Sequence, residues 1–214
     1  MRNLKDWKLT KKAKGSGAVV ERVILVDEFD RETGAMEKLS AHVHGQLHRA
    51  FSIFVFNAAG QLLLQRRAGS KYHSGNLWSN TCCGHPRPGE STTAAARRRL
   101  REEMNFDCEL RTVFSFLYRA EFTNELIEHE YDHVLIGEFD GVPVPAEAEV
   151  DAWQWTGLDE LRCNLRERPQ EYTYWLKAAM NMEQWQRIEE TLRGEYRQAL
   201  RCSLSGFKSG RDES

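Results

Sequence analysis

The order of apolar patterns along the chain predicts an α+β fold: short strand-like runs, one central helix, more strands, and then a helical C-terminal extension. Two bulk observations agree. The 214 residues, 41% of them hydrophobic, suffice for one well-buried domain, and no repeat or low-complexity linker divides them. Residues 1–17 carry Lys5, Lys8, Lys11, Lys12 and Lys14 with little apolar pattern, and 203–214 are rich in Ser, Gly and charge, so both ends are expected to be mobile tails on a single domain spanning 18–202.

Within that domain, extended runs are expected at Val19–Val26, Ala50–Phe56, Leu62–Gln65, Val113–Phe122 and Tyr131–Phe139, with Asn57-Ala58-Ala59-Gly60 as the turn joining the second and third. Together they make a mixed sheet. The central helix is placed at Thr92 to Met104, where Ser91 or Thr92 can cap and Ala96, Leu100 and Met104 recur at i, i+4. From Pro169 to about Leu200 the composition is helical again, with Trp175, Met182, Trp185, Ile188 and Leu192 as apolar positions.

Thirty basic against 32 acidic residues leave a formal charge of -2, which excludes the global electrostatic signature of a nucleic-acid binder. Any anion site must be local. No run of 18 apolar residues exists to span a membrane, and the Lys-rich start lacks the apolar stretch of a secretory signal, so a cytoplasmic, non-membrane protein is expected. Five cysteines, Cys82, Cys83, Cys108, Cys163 and Cys202, form an odd and scattered set; free thiols rather than a disulfide framework follow.

Seven histidines, 42, 44, 48, 73, 85, 129 and 133, fall between the strand-like runs or at their ends, and Glu128-His129-Glu130-Tyr131-Asp132-His133 interleaves acids with two of them. Imidazole with carboxylate is a vocabulary for zinc, manganese, iron or magnesium, and the carboxylate share favours the harder ions. On an extended segment Glu128 and Glu130 share a face while His129 points away. Both carboxylates can then reach one ion.

The run Trp78-Ser79-Asn80-Thr81-Cys82-Cys83-Gly84-His85-Pro86 places Cys83 and His85 two apart, on one face if extended, with Gly84 leaving the backbone open to a substrate. A thiol beside a metal-bound imidazole is expected to have its usual pKa of about 8.5 lowered, making Cys83 an acid/base candidate. Cys82 points the other way and is expected to be buried. No second Cys-x-x-Cys pair completes a thiolate zinc site.

Gly84, five residues, Glu90, seven residues, and then Arg98-Arg99-Leu100-Arg101-Glu102-Glu103-Met104-Asn105-Phe106 resembles the Nudix box. Arg99 stands where that motif has Glu, and Asn105 where it has Gly, so ordinary Nudix hydrolysis is not expected. This altered box is similar to that of the type I isopentenyl-diphosphate isomerases. Leu47-His48-Arg49-Ala50-Phe51-Ser52, Leu64-Gln65-Arg66-Arg67-Ala68, Gly75-Asn76-Leu77-Trp78-Ser79-Asn80, Cys83-Gly84-His85-Pro86, Tyr118-Arg119-Ala120 and Glu128-His129-Glu130 resemble that family's blocks in its order, over about Val20 to Trp175.

The resemblance implies a Nudix-like mixed sheet sandwiched by helices. It implies one Mn²⁺ or Zn²⁺ held by His42, His48, His85, Glu128 and Glu130, with His44 a rival to His42, and a Mg²⁺ held by Glu103 together with the diphosphate. Lys38, Arg67, Lys71 and Arg99 match diphosphate-handling positions, and Trp175 the pocket aromatic. Cys83 and Glu130, the latter assisted by Tyr118, match the catalytic groups. His73, His129 and His133 are left as structural. The implied protein is a monomer acting on a small isoprenoid diphosphate: a proton is added at one carbon and removed two carbons away, which needs two acid/base groups flanking a dry pocket. On this reading Glu130 donates and the Cys83 thiolate accepts.

Overall fold

The structure, a computed structural model, describes residues 20–192 apart from 72, 123 and 124. The two expected tails and the stretch beyond 192 lie outside the described residues. Nine strands and the helices between them make an α+β fold. The strands are β1 (Arg22–Val26), β2 (Glu32–Glu37), β3 (His48–Phe56), β4 (Gln61–Arg67), β5 (Trp78–Ser79), β6 (Cys82–Gly84), β7 (Leu110–Glu121), β8 (Ile127–Glu138) and β9 (Val150–Gly157). The helices are α1 (Lys38–His44), α2 (Thr92–Met104), α3 (Leu158–Glu167) and α4 (Tyr174–Asn181), followed by helical residues 183–192.

β3 organises the sheet. It runs parallel to β8, register His48 with Glu130, and on its other side meets β1, β6 and β4 in turn, all antiparallel. β7 completes one edge by pairing with β8, and β9 pairs with β4. Period-2 alternation splits the apolar residues between two faces. Phe54, Phe56, Leu62, Leu64 and Val134 pack with Trp175, Leu176 and Trp185 of the C-terminal helices, whereas Phe51, Ile53, Val55, Leu63 and Leu135 pack with Ala96, Leu100 and Met104 of α2. A sheet apolar on both faces must be covered on both, which is why helices sandwich it.

α2 has the expected bounds. Ser91 Oγ accepts from Ala94 N at its start, and Asn105 takes the left-handed conformation at its end (φ 57), the role Gly has in the Nudix box. The turn at residues 57–60 also forms: Asn57 Oδ1 accepts from Ala59 N and Gln61 N, and Gly60 supplies φ 73. Strands β2, β5, β6 and β9 and helices α1 and α3 were not anticipated. His42 and His44 accordingly sit on a helix, and His129 and His133 lie within β8, rather than between strands or at their ends.

Candidate active site and metal centre

α1 is seven residues long and exists by virtue of its ends. Glu37 accepts from Leu39 N and Ser40 N at the start; at the finish Gly45 adopts φ 60 against the side chain of Ile127. One turn of helix then decides between the rival histidines. His42 is wholly buried and faces β8, while His44 is exposed to solvent.

His42 Nδ1 faces Lys38 O at 2.7 Å and His48 Nδ1 faces Gln46 O at 2.8 Å. A carbonyl can only accept, so both rings carry a proton on Nδ1 and turn Nε2 inward. His85 arrives from the end of β6: its Nε2 lies 3.2 Å from His48 Nε2 and 2.8 Å from Glu130 Oε1. Burial pushes His85 down to about 4 despite the attraction of Glu130, so its ring is neutral near pH 7.

Glu128 and Glu130 share the inward face of β8 and are almost fully buried, as expected, while His129 turns away to bond Gly45 O. Tyr118, opposite Glu130 in the β7–β8 register, places its hydroxyl 2.7 Å from Glu128 Oε2 and 2.6 Å from Glu130 Oε2. Burial and the carboxylates push Tyr118 well above the ordinary tyrosine range, so it stays a donor. It has one hydrogen for two carboxylates. Burial works against ionisation of Glu130, but its hydrogen bonds with His48 and His85 outweigh that and hold it well below the usual carboxylate range.

The donor set fits a divalent ion. Three imidazoles, two of them buried with a proton fixed on Nδ1, converge with two buried carboxylates, and ligand atoms of His42, His48, His85 and Glu130 all lie within 4.8 Å of one another. Two acids sharing one hydroxyl proton carry negative charge that a cation at that point would offset.

Cys83 and Cys82 diverge as strand neighbours should. Cys82 is fully buried under α2; Cys83 is half-buried and lines the cleft. With no ion on the neighbouring imidazole, burial pushes the Cys83 thiol up to about 12, and the lowering effect of Arg67 does not offset it. Gly84 lines the cleft, as expected, and its missing side chain also makes room, since a Cβ there would press on Phe51 and Arg99.

The cleft, open to solvent, is lined by all of Lys38, Arg67, Lys71, Cys83, His85, Arg99, Glu103, Tyr118, Glu128, Glu130 and Trp175. Its cationic end is cross-linked. Arg99 pairs with Glu103 and, at 3.2 Å, with Glu149, which also pairs with Lys71; Gln65 Nε2 donates to Glu103 at 3.0 Å; Lys38 meets Glu21 at 3.3 Å. Arg67 Nε is buried with no hydrogen-bond partner among the described residues, and the guanidinium lies 5.1 Å over the ring of Trp175. Trp175 is thus pinned between Arg67 and Ser79, to which its Nε1 donates at 2.9 Å, and it serves core and cleft together.

Sequence reasoning missed Glu21 and Glu149, carboxylates that hold Lys38, Lys71 and Arg99 in place. It also missed His73. Left aside as structural, His73 is buried with Nε2 2.8 Å from Glu128 Oε1. His133 does lie outside the cleft, bonded to Asp30 and Ser115.

Residues 46–177 match the NUDIX domain family. Solved structures agree on the fold: one from Deinococcus radiodurans superposes with TM-score 0.59 at 24% identity over 69% of this chain and 90% of that one, and a MutT protein from Methanosarcina mazei with TM-score 0.52 at 16% identity over 68% and 94%. The sequence relatives decide the branch. Isopentenyl-diphosphate Delta-isomerase 2 of Aromatoleum aromaticum is 56% identical over 161 residues, 75% of this chain and 85% of its own, and the Burkholderia multivorans isopentenyl-diphosphate Delta-isomerase is 58% identical over 155, 72% and 88%. The chain belongs to the Nudix-type isopentenyl-diphosphate isomerases. The Nudix helix of this isomerase, α2, keeps Glu103 at the cleft, and Arg99 now occupies the adjoining turn where the hydrolase motif has an acid.

Proposed function

We propose that the isomerase interconverts isopentenyl and dimethylallyl diphosphate with Cys83 and Glu130 as its two acid/base groups. The observation that carries this is topological: β6 and β8 flank β3 on either side, and each brings one of the pair into the same cleft. Lys38, Arg67, Lys71 and Arg99 at the cationic end suit the diphosphate, with Arg67 Nε the donor still to be satisfied.

In the forward direction the Glu130 carboxyl gives its proton to the terminal alkene carbon, assisted by Tyr118, and the resulting tertiary cation loses an allylic proton to the Cys83 sulphur. The pair ends as carboxylate and thiol. That is also the form favoured by burial of Cys83 and by the histidines around Glu130. A forward turnover thus leaves the proton on sulphur, and the next one first needs it passed back to the carboxylate. A divalent ion, Mn²⁺ or Zn²⁺, held by His42, His48, His85, Glu128 and Glu130 would draw charge from Glu130 and strengthen it as an acid. Glu103 would hold Mg²⁺ together with the diphosphate. The four described cysteines are free, which suits a reducing cytosol.

Isopentenyl diphosphate followed by NMR in heavy water tests this reading. Allylic product with deuterium from solvent is expected; phosphate release without allylic product would overturn it.

A further inference from the structure

His73 lies in the loop after β4, two residues beyond Lys71, and nothing in the reaction above uses it. Its surroundings are nonetheless built. The ring is buried, lies roughly parallel to Phe122 with centroids 5.1 Å apart, and meets Trp175 edge-on at 5.9 Å. Ser74 Oγ stands 3.1 Å from Nδ1 and Glu128 Oε1 stands 2.8 Å from Nε2. A carboxylate oxygen accepts and a serine hydroxyl can donate, so these partners assign the proton to Nε2.

We propose that His73 is a positioning residue of the metal centre: its Nε2–H holds Oε1 of Glu128 while Tyr118 holds Oε2, fixing that carboxylate in the orientation the ion requires. This rests on the reading of the His/Glu cluster as a metal site. Geometry favours positioning over direct ligation. The compact group is His42, His48, His85 and Glu130, with ring centroids 4.8 Å apart for His42–His48 and 4.9 Å for His48–His85; His73 groups only with His42 and Glu128, its ring 6.3 Å from that of His42. A carboxylate restrained at both oxygens loses little freedom when an ion arrives, and loss of such a partner typically weakens metal binding 10–100-fold. The same loop carries Lys71 and follows Arg67 at the end of β4, so His73 also ties the diphosphate end of the cleft to the metal end.

The test is Mn²⁺ affinity of the full chain, by competition with a chelator, in wild type, His73→Phe and His73→Gln, with circular dichroism to confirm folding. Phe keeps the ring stacking without the N–H and should weaken binding by roughly 10–100-fold. The Gln amide reaches where Nε2 was and should recover affinity to within a few-fold. Pulsed EPR of bound Mn²⁺ supplies a readout that a packing role would not move: the count of coordinated imidazole nitrogens should be equal in wild type and His73→Gln. One nitrogen fewer in His73→Gln makes His73 a ligand and overturns the proposal, even if His73→Phe fails to fold. Wild-type affinity in His73→Phe overturns it as well. A wild-type chain that binds no Mn²⁺ overturns the metal reading beneath it.

Discussion

The Nε2 atoms of His48 and His85 lie 3.2 Å apart, although one ring comes from the start of β3 and the other from beyond the end of β6. Since Nδ1 of His48 donates to Gln46 O, its Nε2 is left to face His85 and Glu130. Two imidazoles arranged in this way call for a proton or a metal ion between them and the carboxylate oxygen they both face.

A metal is therefore expected to purify with the chain, and His48→Ala should remove most of it. Elemental analysis checks this directly. About one ion per chain in wild type and a small fraction of that in His48→Ala is the expected outcome; equal content in both would show that the ion sits elsewhere.

A second ion is expected at Glu103, once diphosphate is bound. Glu103 is buried between Arg99 and Gln65, so its carboxylate is already oriented, and it is no part of the converging histidine and glutamate set. Glu103→Gln should weaken substrate binding by tenfold or more, since a charge-assisted contact is worth about 1.5–3 kcal/mol, while leaving the content of the first metal unchanged. Titration of diphosphate binding beside elemental analysis separates the two; parallel loss of both would merge them into one site.

How much of this was legible in the sequence follows from the range of each interaction. α2 was, to the residue, because its cap, its i, i+4 apolar row and its Asn105 terminator are all local. Glu128 and Glu130 were, because strand alternation needs only the neighbours. α1 was not: seven residues give too little periodicity, and the helix depends on Glu37 and Gly45 at its ends. β9 was hidden because a bulge between Val150 and Ala152 breaks its alternation, setting Val150 and Trp153, three apart, on the α2 face. His73 was invisible for another reason, since only the fold brings residue 73 to residue 128. The upward push of burial on the metal-free Cys83 thiol was not legible either, because the depth of the cleft has no local signature.

The metal-free chain should lose stability in acid through His85. Its folded value, about 4, lies below the 6.5 of an unfolded chain, so as pH falls the unfolded state takes up the proton first. The contribution is complete above 6.5, declines between 6.5 and about 4, and is gone below. It amounts to about 3 kcal/mol in order of magnitude. Denaturant titrations of chelated protein across that window should give a shallower slope for His85→Gln than for wild type; identical slopes would place the titration on other groups.

The last prediction separates the adjacent cysteines. Cys83→Ser keeps nearly the size of the thiol but replaces it with a hydroxyl whose anion is far harder to form, so the group can neither accept the allylic proton nor return it. Turnover should fall by on the order of 10²–10⁴, the usual contribution of a positioned acid/base, with metal content unchanged because Cys83 is no part of the converging histidine and glutamate set. Cys82→Ser places its hydroxyl in the apolar layer under α2, where an unpaired polar group costs about 1–3 kcal/mol of stability but touches no reacting atom. It should lower the melting temperature and leave turnover per folded chain within a few-fold of wild type. Kinetics, thermal melts and elemental analysis of the two variants decide. Wild-type turnover in Cys83→Ser, or loss of the metal along with activity, would remove the sulphur from the proton path.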